Sequence, residues 1–295
     1  MQRERLIKSG KLLEADFYPI WENGKRLPTR APKSRRTSEE QQRYNRKMAV
    51  RNFVRRINAN FDTGDIFLHV TFAPDNAPGS TDAADRAVYN YIRRIKTRRA
   101  SELKSVRSRL SSDGSDAELK KKCSKLSEPF RYYVIMEEQE YKTGKLKGWV
   151  AQHYHIFMTG GLERDVIEDM WTHGARVNAD RYQPERFGPE TAAKYCAKDP
   201  RGKKRFRCSR NLKSPVVQKP KDGKISSRGV ERLATERTDD REYWEKRYKG
   251  YRFVRCFSRY NPYNGYWYVS VVMYKTATES ALPTWGNDTE DEILW

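Results

Sequence analysis

Apolar positions along the chain switch between helical and strand periods, and these switches outline the elements. Val50, Phe53, Val54, Ile57 and Phe61 recur at helical spacing with arginines between them. They predict an amphipathic helix starting at Thr37, where T-S-E-E has capping-box spacing to Glu40. One face should pack on a core while the other is positive, either solvated or against DNA. Residues 65–72 (DIFLHVTF) read as a buried strand. After a Pro/Gly/Asn-rich turn, Ser80 or Thr81 can cap a helix whose stripe is Ala84, Val88, Tyr91, Ile92 and Ile95. Residues 100–127 are Ser/Lys-rich and weakly apolar, and read as a helical extension plus a flexible insertion.

Strand character returns at 131–136 (RYYVIM), with carboxylates following directly. A turn-like segment around Lys142–Lys147 leads to a strand at about 150–159 (VAQHYHIFMT). An amphipathic helix carrying Leu162, Val166, Ile167, Met170 and Trp171 follows, then a short strand near 175–180. Gly188 and Pro189 suit the N-cap and first turn of another helix, which Pro200 closes. Helical signal recurs around 226–247. A hairpin is expected from strands near 251–260 and 266–275 joined through Asn264-Gly265. Residues 1–36 read as basic and irregular, with turn signals at Asn23-Gly24 and prolines at 28 and 32. The order of elements predicts an α+β fold, an antiparallel sheet backed by helices.

Charge adds a partner to this picture. The 295 residues hold 60 Lys+Arg against 39 Asp+Glu, a net charge of +21. Such an excess points to a polyanion, because neutralising phosphates releases condensed counterions. A basic membrane-surface protein would carry similar charge but should show an amphipathic anchoring helix instead of a folded strand pattern. No apolar run approaches the roughly 18–20 residues that span a bilayer. The first residues lack the apolar stretch and cleavage site of a secretory signal. The expectation is a soluble, cytoplasmic protein that binds nucleic acid. Cys123, Cys196, Cys208 and Cys256 form no CxxC pair and read as buried or half-buried free thiols.

Three clusters carry candidate chemistry. His153 and His155, two of only four histidines, sit at i and i+2 of a strand and so share a face, with Tyr154 opposite. They offer two neutral nitrogens to one divalent ion. The preceding strand runs into Glu137-Glu138-Gln139, and a neighbouring antiparallel strand can bring a carboxylate beside the histidines. The histidines and one oxygen would leave open positions, as catalysis requires. Glu137 is favoured over Glu138, although sequence does not say which parity faces the histidines. Lys194-Tyr195-Cys196-Ala197-Lys198 puts Tyr195 and Lys198 on one helical face. A tyrosine near its ordinary pKa of ~10 is a poor nucleophile, and a nearby lysine favours the phenolate. Immediately after come seven Lys/Arg in thirteen residues (RGKKRFRCSRNLK). Arg201, Lys203, Lys204, Arg205, Arg207 and Arg210 are the expected phosphate contacts, with Phe206 as a stacking surface. Tyr263, Tyr266, Trp267 and Tyr268 either stack bases or pack a core.

Taken in order, FLHVTF (67–72), HYH (153–155) and YCAK (195–198) resemble motifs one, two and three of the HUH endonucleases. The likeness is to phage and plasmid rolling-circle replication initiators, including those related to filamentous-phage gene II protein, over residues 60–215. The resemblance implies a ferredoxin-like or RRM-like antiparallel sheet flanked by helices. It also implies Mg²⁺ or Mn²⁺ on His153, His155 and Glu137, with Tyr195 as nucleophile and Lys198 assisting. Its partners would be single-stranded or locally melted origin DNA, a host polymerase and, since no P-loop pattern is present, a host helicase. In domain terms it implies a basic N-terminal extension with a helix (1–60), a nicking domain (61–215), a C-terminal helix and hairpin (216–283) and an acidic tail (284–295). Motif one departs from the pattern: His69 stands where a hydroxyl residue is common, and is read as structural or as a DNA-contacting neighbour of the site. The same chemistry would serve a mobilisation relaxase or a single-tyrosine transposase. A non-catalytic RRM-like binder is the alternative of a different class.

Overall fold

In a computed structural model of the chain, described for residues 1–21, 39–112, 115–140, 148, 150–174, 177–184 and 206–275, strands and helices assemble into two units. One unit comprises Met1–Ala59 and the described residues from Lys213 on; the other comprises Asn60–Pro184 and residues 206–212. Each unit has its own sheet and its own apolar core. The α+β class is as expected. The single central sheet is not, because the N- and C-terminal segments expected as separate extensions build a second sheet together.

That second sheet begins where an irregular segment was expected. β1 (Gln2–Ser9) and β2 (Leu12–Pro19) form an antiparallel hairpin. Gly10 turns it with φ of +58°, and a Cβ there would lie 2.0 Å from the Asn58 carbonyl oxygen, so only glycine fits. The segment reads as irregular because one strand face is charged. Glu14 and Asp16 look like loop residues until α1 (Glu39–Asn60) supplies Arg51 and Arg55. Arg51 reaches Glu14 at 2.7 Å and Asp16 at 2.5 Å, and Arg55 reaches Glu14 at 2.5 Å. The arginines between the apolar positions of α1 are thus partly internal counter-charges. Val50, Phe53, Val54 and Ile57 are buried as their spacing predicts; the expected cap at Thr37 lies outside the described residues.

The opposite face of this sheet is mainly apolar, with buried Glu4 engaged by Arg247 and Tyr248. Leu6, Leu13, Ala15 and Phe17 pack with Val230, Leu233 and Trp244. The last three come from α5 (Ser227–Glu236) and α6 (Arg241–Arg247), the two pieces of the helical signal at 226–247. The C-terminal hairpin, β10 (Arg252–Asn261) and β11 (Tyr266–Tyr274), is as expected, and Gly265 takes φ of +70°. With the short strands β8 (Val216–Val217) and β9 (Lys221–Asp222), the strand order is β10-β11-β2-β1-β8, and β9 also pairs with β1.

The other unit holds a five-stranded antiparallel sheet in the order β6-β3-β5-β4-β7. Its strands are β3 (Ile66–Thr71), β4 (Tyr132–Glu140), β5 (Val150–Met158), β6 (Val177–Arg181) and β7 (Phe206–Cys208). One face carries Ile66, Leu68, Val70, Val134, Met136, Tyr154, Ile156 and Met158. It packs on the predicted stripe of α2 (Thr81–Ser112), whose Ala83 amide is capped by the Ser80 hydroxyl. The flexible insertion expected within 100–127 is helical over 100–112 and again in α3 (Ala117–Ser127), which Asp116 caps. Buried Arg99 ties these helices together, donating to the carbonyls of Lys125, Glu128 and Gly160. A weakly apolar sequence is held here by Val106, Leu119 and Leu126 in the core and by one guanidinium satisfying backbone carbonyls. α4 (Arg164–Asp169) is a short helix with Ile167 buried. The turn around 142–147, the helix expected between Gly188 and Pro200, and the acidic tail lie outside the described residues. No described helix is long and apolar enough to cross a membrane.

Candidate functional site

Cross-strand register places the candidate residues on the face of the five-stranded sheet turned away from α2. Thr71, His153 and Glu137 form one rung across β3, β5 and β4. His69, His155 and Ile135 form the next, continued by Asn178 on β6 and Phe206 on β7. Phe67, Phe157 and Tyr133 form the third. Directly paired residues share a face, so Glu137 stands with the histidines. Glu138 pairs with Gln152 and belongs to the other face.

Hydrogen bonds tie the rungs together. Thr71 Oγ1 lies 2.9 Å from His153 Nδ1, His69 Nδ1 lies 3.0 Å from His155 Nδ1, and Glu137 Oε2 lies 3.3 Å from His155 Nε2. Below them the Phe67 ring stacks on Phe157, 4.5 Å between centroids, and meets His69 edge-on at 4.4 Å. This apolar floor sets the electrostatics. Burial, reinforced by the neighbouring His155, pushes the His69 imidazole down to about 4 and lowers His153 in the same direction. Both rings are therefore neutral near pH 7 and keep a nitrogen lone pair.

The donor types suit a hard-to-borderline divalent ion. Two donor atoms, His153 Nε2 and Glu137 Oε1, are buried without a hydrogen-bond partner, a costly arrangement that a cation would relieve. Among the described residues no three His, Cys, Asp or Glu side chains already surround a common point as a coordination shell. Glu137 and His155 instead touch each other directly. The residues fit an ion by chemistry and by their orphaned atoms.

Two residues of this constellation come from the segment FLHVTF (67–72) on β3. His69, read as structural or as a neighbour of the site, hydrogen-bonds to His155 itself. Thr71 was not singled out. Strand alternation puts it on the same face as Phe67 and His69, but its contact with His153 depends on register between strands 82 residues apart.

Tyr154 points to the opposite face as expected, and its hydroxyl donates to Asp85. Arg207 has a partner within the fold. It was grouped with the phosphate contacts, but its guanidinium ion-pairs with Asp85 and is largely buried, because β7 joins the sheet edge and turns this residue toward α2. Arg210, just beyond that strand, is exposed. Phe206 is half-buried against Tyr133, ring centroids 5.7 Å apart. Cys208 is exposed where a buried or half-buried thiol was expected; Cys123 and Cys256 are half-buried. Tyr195, Lys198, Cys196, Arg201, Lys203, Lys204 and Arg205 lie outside the described residues. Compared with protein-family models, curated proteins and solved structures, the chain finds no match.

Proposed function

We propose that the chain is a metal-dependent, single-strand DNA nickase of the HUH type that initiates rolling-circle replication. The observation that carries this reading is the rung order, which sets Glu137, His153 and His155 on one partly buried sheet face with two buried donor atoms unpartnered. The order of the three sequence motifs and the net charge of +21 support the substrate class.

A bound Mg²⁺ or Mn²⁺ would supply Lewis-acid stabilisation of charge on the scissile phosphate. His153, His155 and Glu137 are the residues that would hold it. Thr71 orients the His153 ring: with the proton on Nδ1 shared toward the hydroxyl, Nε2 keeps its lone pair for the ion. His69 does the same for His155 through the Nδ1 contact. Phe67 and Phe157 exclude water from below. Tyr195 is the proposed nucleophile. Its phenolate oxygen forms a bond to phosphorus as the bond from phosphorus to the 3′ oxygen breaks, giving a 5′-phosphotyrosine and a free 3′-hydroxyl. Lys198 would stabilise the phenolate or hold a phosphate oxygen. Because the aryl phosphoester retains much of the original bond's free energy, a later 3′-hydroxyl reverses the step and reseals the strand.

The test is covalent capture. Incubating the protein with labelled single-stranded circular DNA and Mn²⁺ should give a protease-sensitive adduct. Tyr195→Phe should abolish it while leaving DNA binding within about twofold. An adduct that persists in the Phe variant would show that another residue is the nucleophile. A wild-type protein that binds but never forms an adduct would be a non-catalytic binder.

A further inference from the structure

The six-stranded sheet has a feature that the nicking reading does not use. On its charged face Arg5, Asp16 and Ser270 form one rung across β1, β2 and β11. Strand alternation puts Tyr18 and Tyr268 on the same face, two residues further along β2 and β11. α1 adds Tyr44, Lys47, Met48 and Arg51, and between helix and sheet lies a cavity of about 390 Å³. That volume falls within the roughly 300–1,000 Å³ of small-ligand sites.

The lining sorts into three chemistries. Phenol rings come from both walls: Tyr44 on the helix, 57% exposed, and Tyr18 and Tyr268 on the sheet. The one carboxylate, Asp16, is already engaged by Arg51 at 2.5 Å and by the Ser270 hydroxyl at 2.7 Å. Arg55 is likewise neutralised by Glu14. Arg5 and Lys47, by contrast, line the cavity with no ion pair to any described residue. Flat aromatic walls beside two cations with no ion pair among the described residues match a nucleobase with its phosphate. The aromatic lining also has an approach. Tyr266 continues the face beyond Tyr268, and Trp21, 59% exposed, meets the Tyr266 ring edge-on at 6.2 Å.

We propose that this cavity holds one nucleotide of single-stranded DNA, its base against Tyr44, Tyr18 and Tyr268 and its phosphate on Arg5 and Lys47. Of paired and unpaired DNA, only the unpaired strand presents free base faces along its length to such walls. That the strand is DNA rests on the nicking reading above; the stacked-nucleotide site does not, and it requires neither metal nor Tyr195.

The experiment uses the full chain in EDTA with a fluorescein-labelled oligo(dT), read by fluorescence anisotropy. Tyr44 and Lys47 sit on the helix surface, so Tyr44→Ala with Lys47→Ala should leave thermal melting unchanged while weakening binding about tenfold or more. Tyr44→Phe with Lys47→Arg should restore wild-type affinity, since ring and charge are kept. Lys47→Glu alone should weaken binding at least about threefold, a check that holds if the double alanine variant misfolds. Wild-type affinity in both the double alanine variant and Lys47→Glu would overturn the proposal. Tighter binding of oligo(rU) than oligo(dT) would overturn its assignment to DNA. Adduct formation in Mn²⁺ is scored separately: wild-type oligo(dT) affinity in both variants overturns this site whatever the adduct assay gives, and a wild-type protein that forms no adduct leaves the binding loss in the variants as this site's own signature.

Discussion

A threonine hydroxyl 2.9 Å from His153 Nδ1 decides how that ring presents its other nitrogen. Partners of this kind commonly shift metal affinity by about 10–100-fold. Thr71→Val keeps the β-branched shape and removes the hydroxyl, so it should weaken Mn²⁺ binding by about tenfold, measured by calorimetry, with little loss of stability. Unchanged affinity would remove Thr71 from the site. His69 gives a pH signature. Its folded-state pKa, about 4, lies below its ordinary value of 6.5, so the unfolded chain binds the extra proton first. Its contribution to stability is full above pH 6.5 and is lost as pH falls toward about 4. Urea unfolding in EDTA should show stability falling across that window, and His69→Gln should flatten the fall. These two residues also mark what sequence could not show. Parity along β3 placed Phe67, His69 and Thr71 together, but which histidine each would meet depends on pairing with β5, and no local pattern encodes that register.

Elements with one apolar face were legible, and those whose polar face is internally compensated were not. The α2 stripe, the β3 and β5 strands and the C-terminal hairpin each stand at the positions their periodicity predicts. The β1-β2 hairpin was lost because Glu14 and Asp16 resemble solvated loop residues until Arg51 and Arg55 arrive from α1. The same compensation makes a sharp prediction. Glu14 and Arg55 are 4% and 6% exposed, and removing one member of a buried pair leaves the other charge uncompensated. Glu14→Ala should therefore destabilise its unit by about 3–5 kcal/mol in chemical denaturation. Replacing Glu14 and Arg55 together by Leu and Met should cost far less. A small effect for Glu14→Ala alone would mean that the pair is hydrated. Arg207 teaches the same lesson in reverse: it sits in the basic run RGKKRFRCSRNLK, but serves Asp85 inside the fold.

For the whole molecule, the charge of +21 predicts strongly salt-dependent DNA binding. Neutralising Lys203, Lys204 and Arg205 should reduce the slope of log K against log salt by about 0.7 per lost phosphate contact on a single strand. Arg207→Gln should instead lower stability and leave the slope unchanged. An unaltered slope in the triple variant would place those three side chains in solvent. Composition made the partner class legible, but not the division into two sheets, since no sequence signal tied residues 2–19 to residues 213–274.

The strand order β10-β11-β2-β1-β8 has a consequence for biosynthesis. β2 takes its neighbour β11 from much later in the chain, 254 residues on between Asp16 and Ser270. The entire five-stranded unit is translated in between and can be complete before the first hairpin has somewhere to dock. Through that interval the leading strands have an unpaired edge, available to a chaperone or to a neighbouring nascent copy.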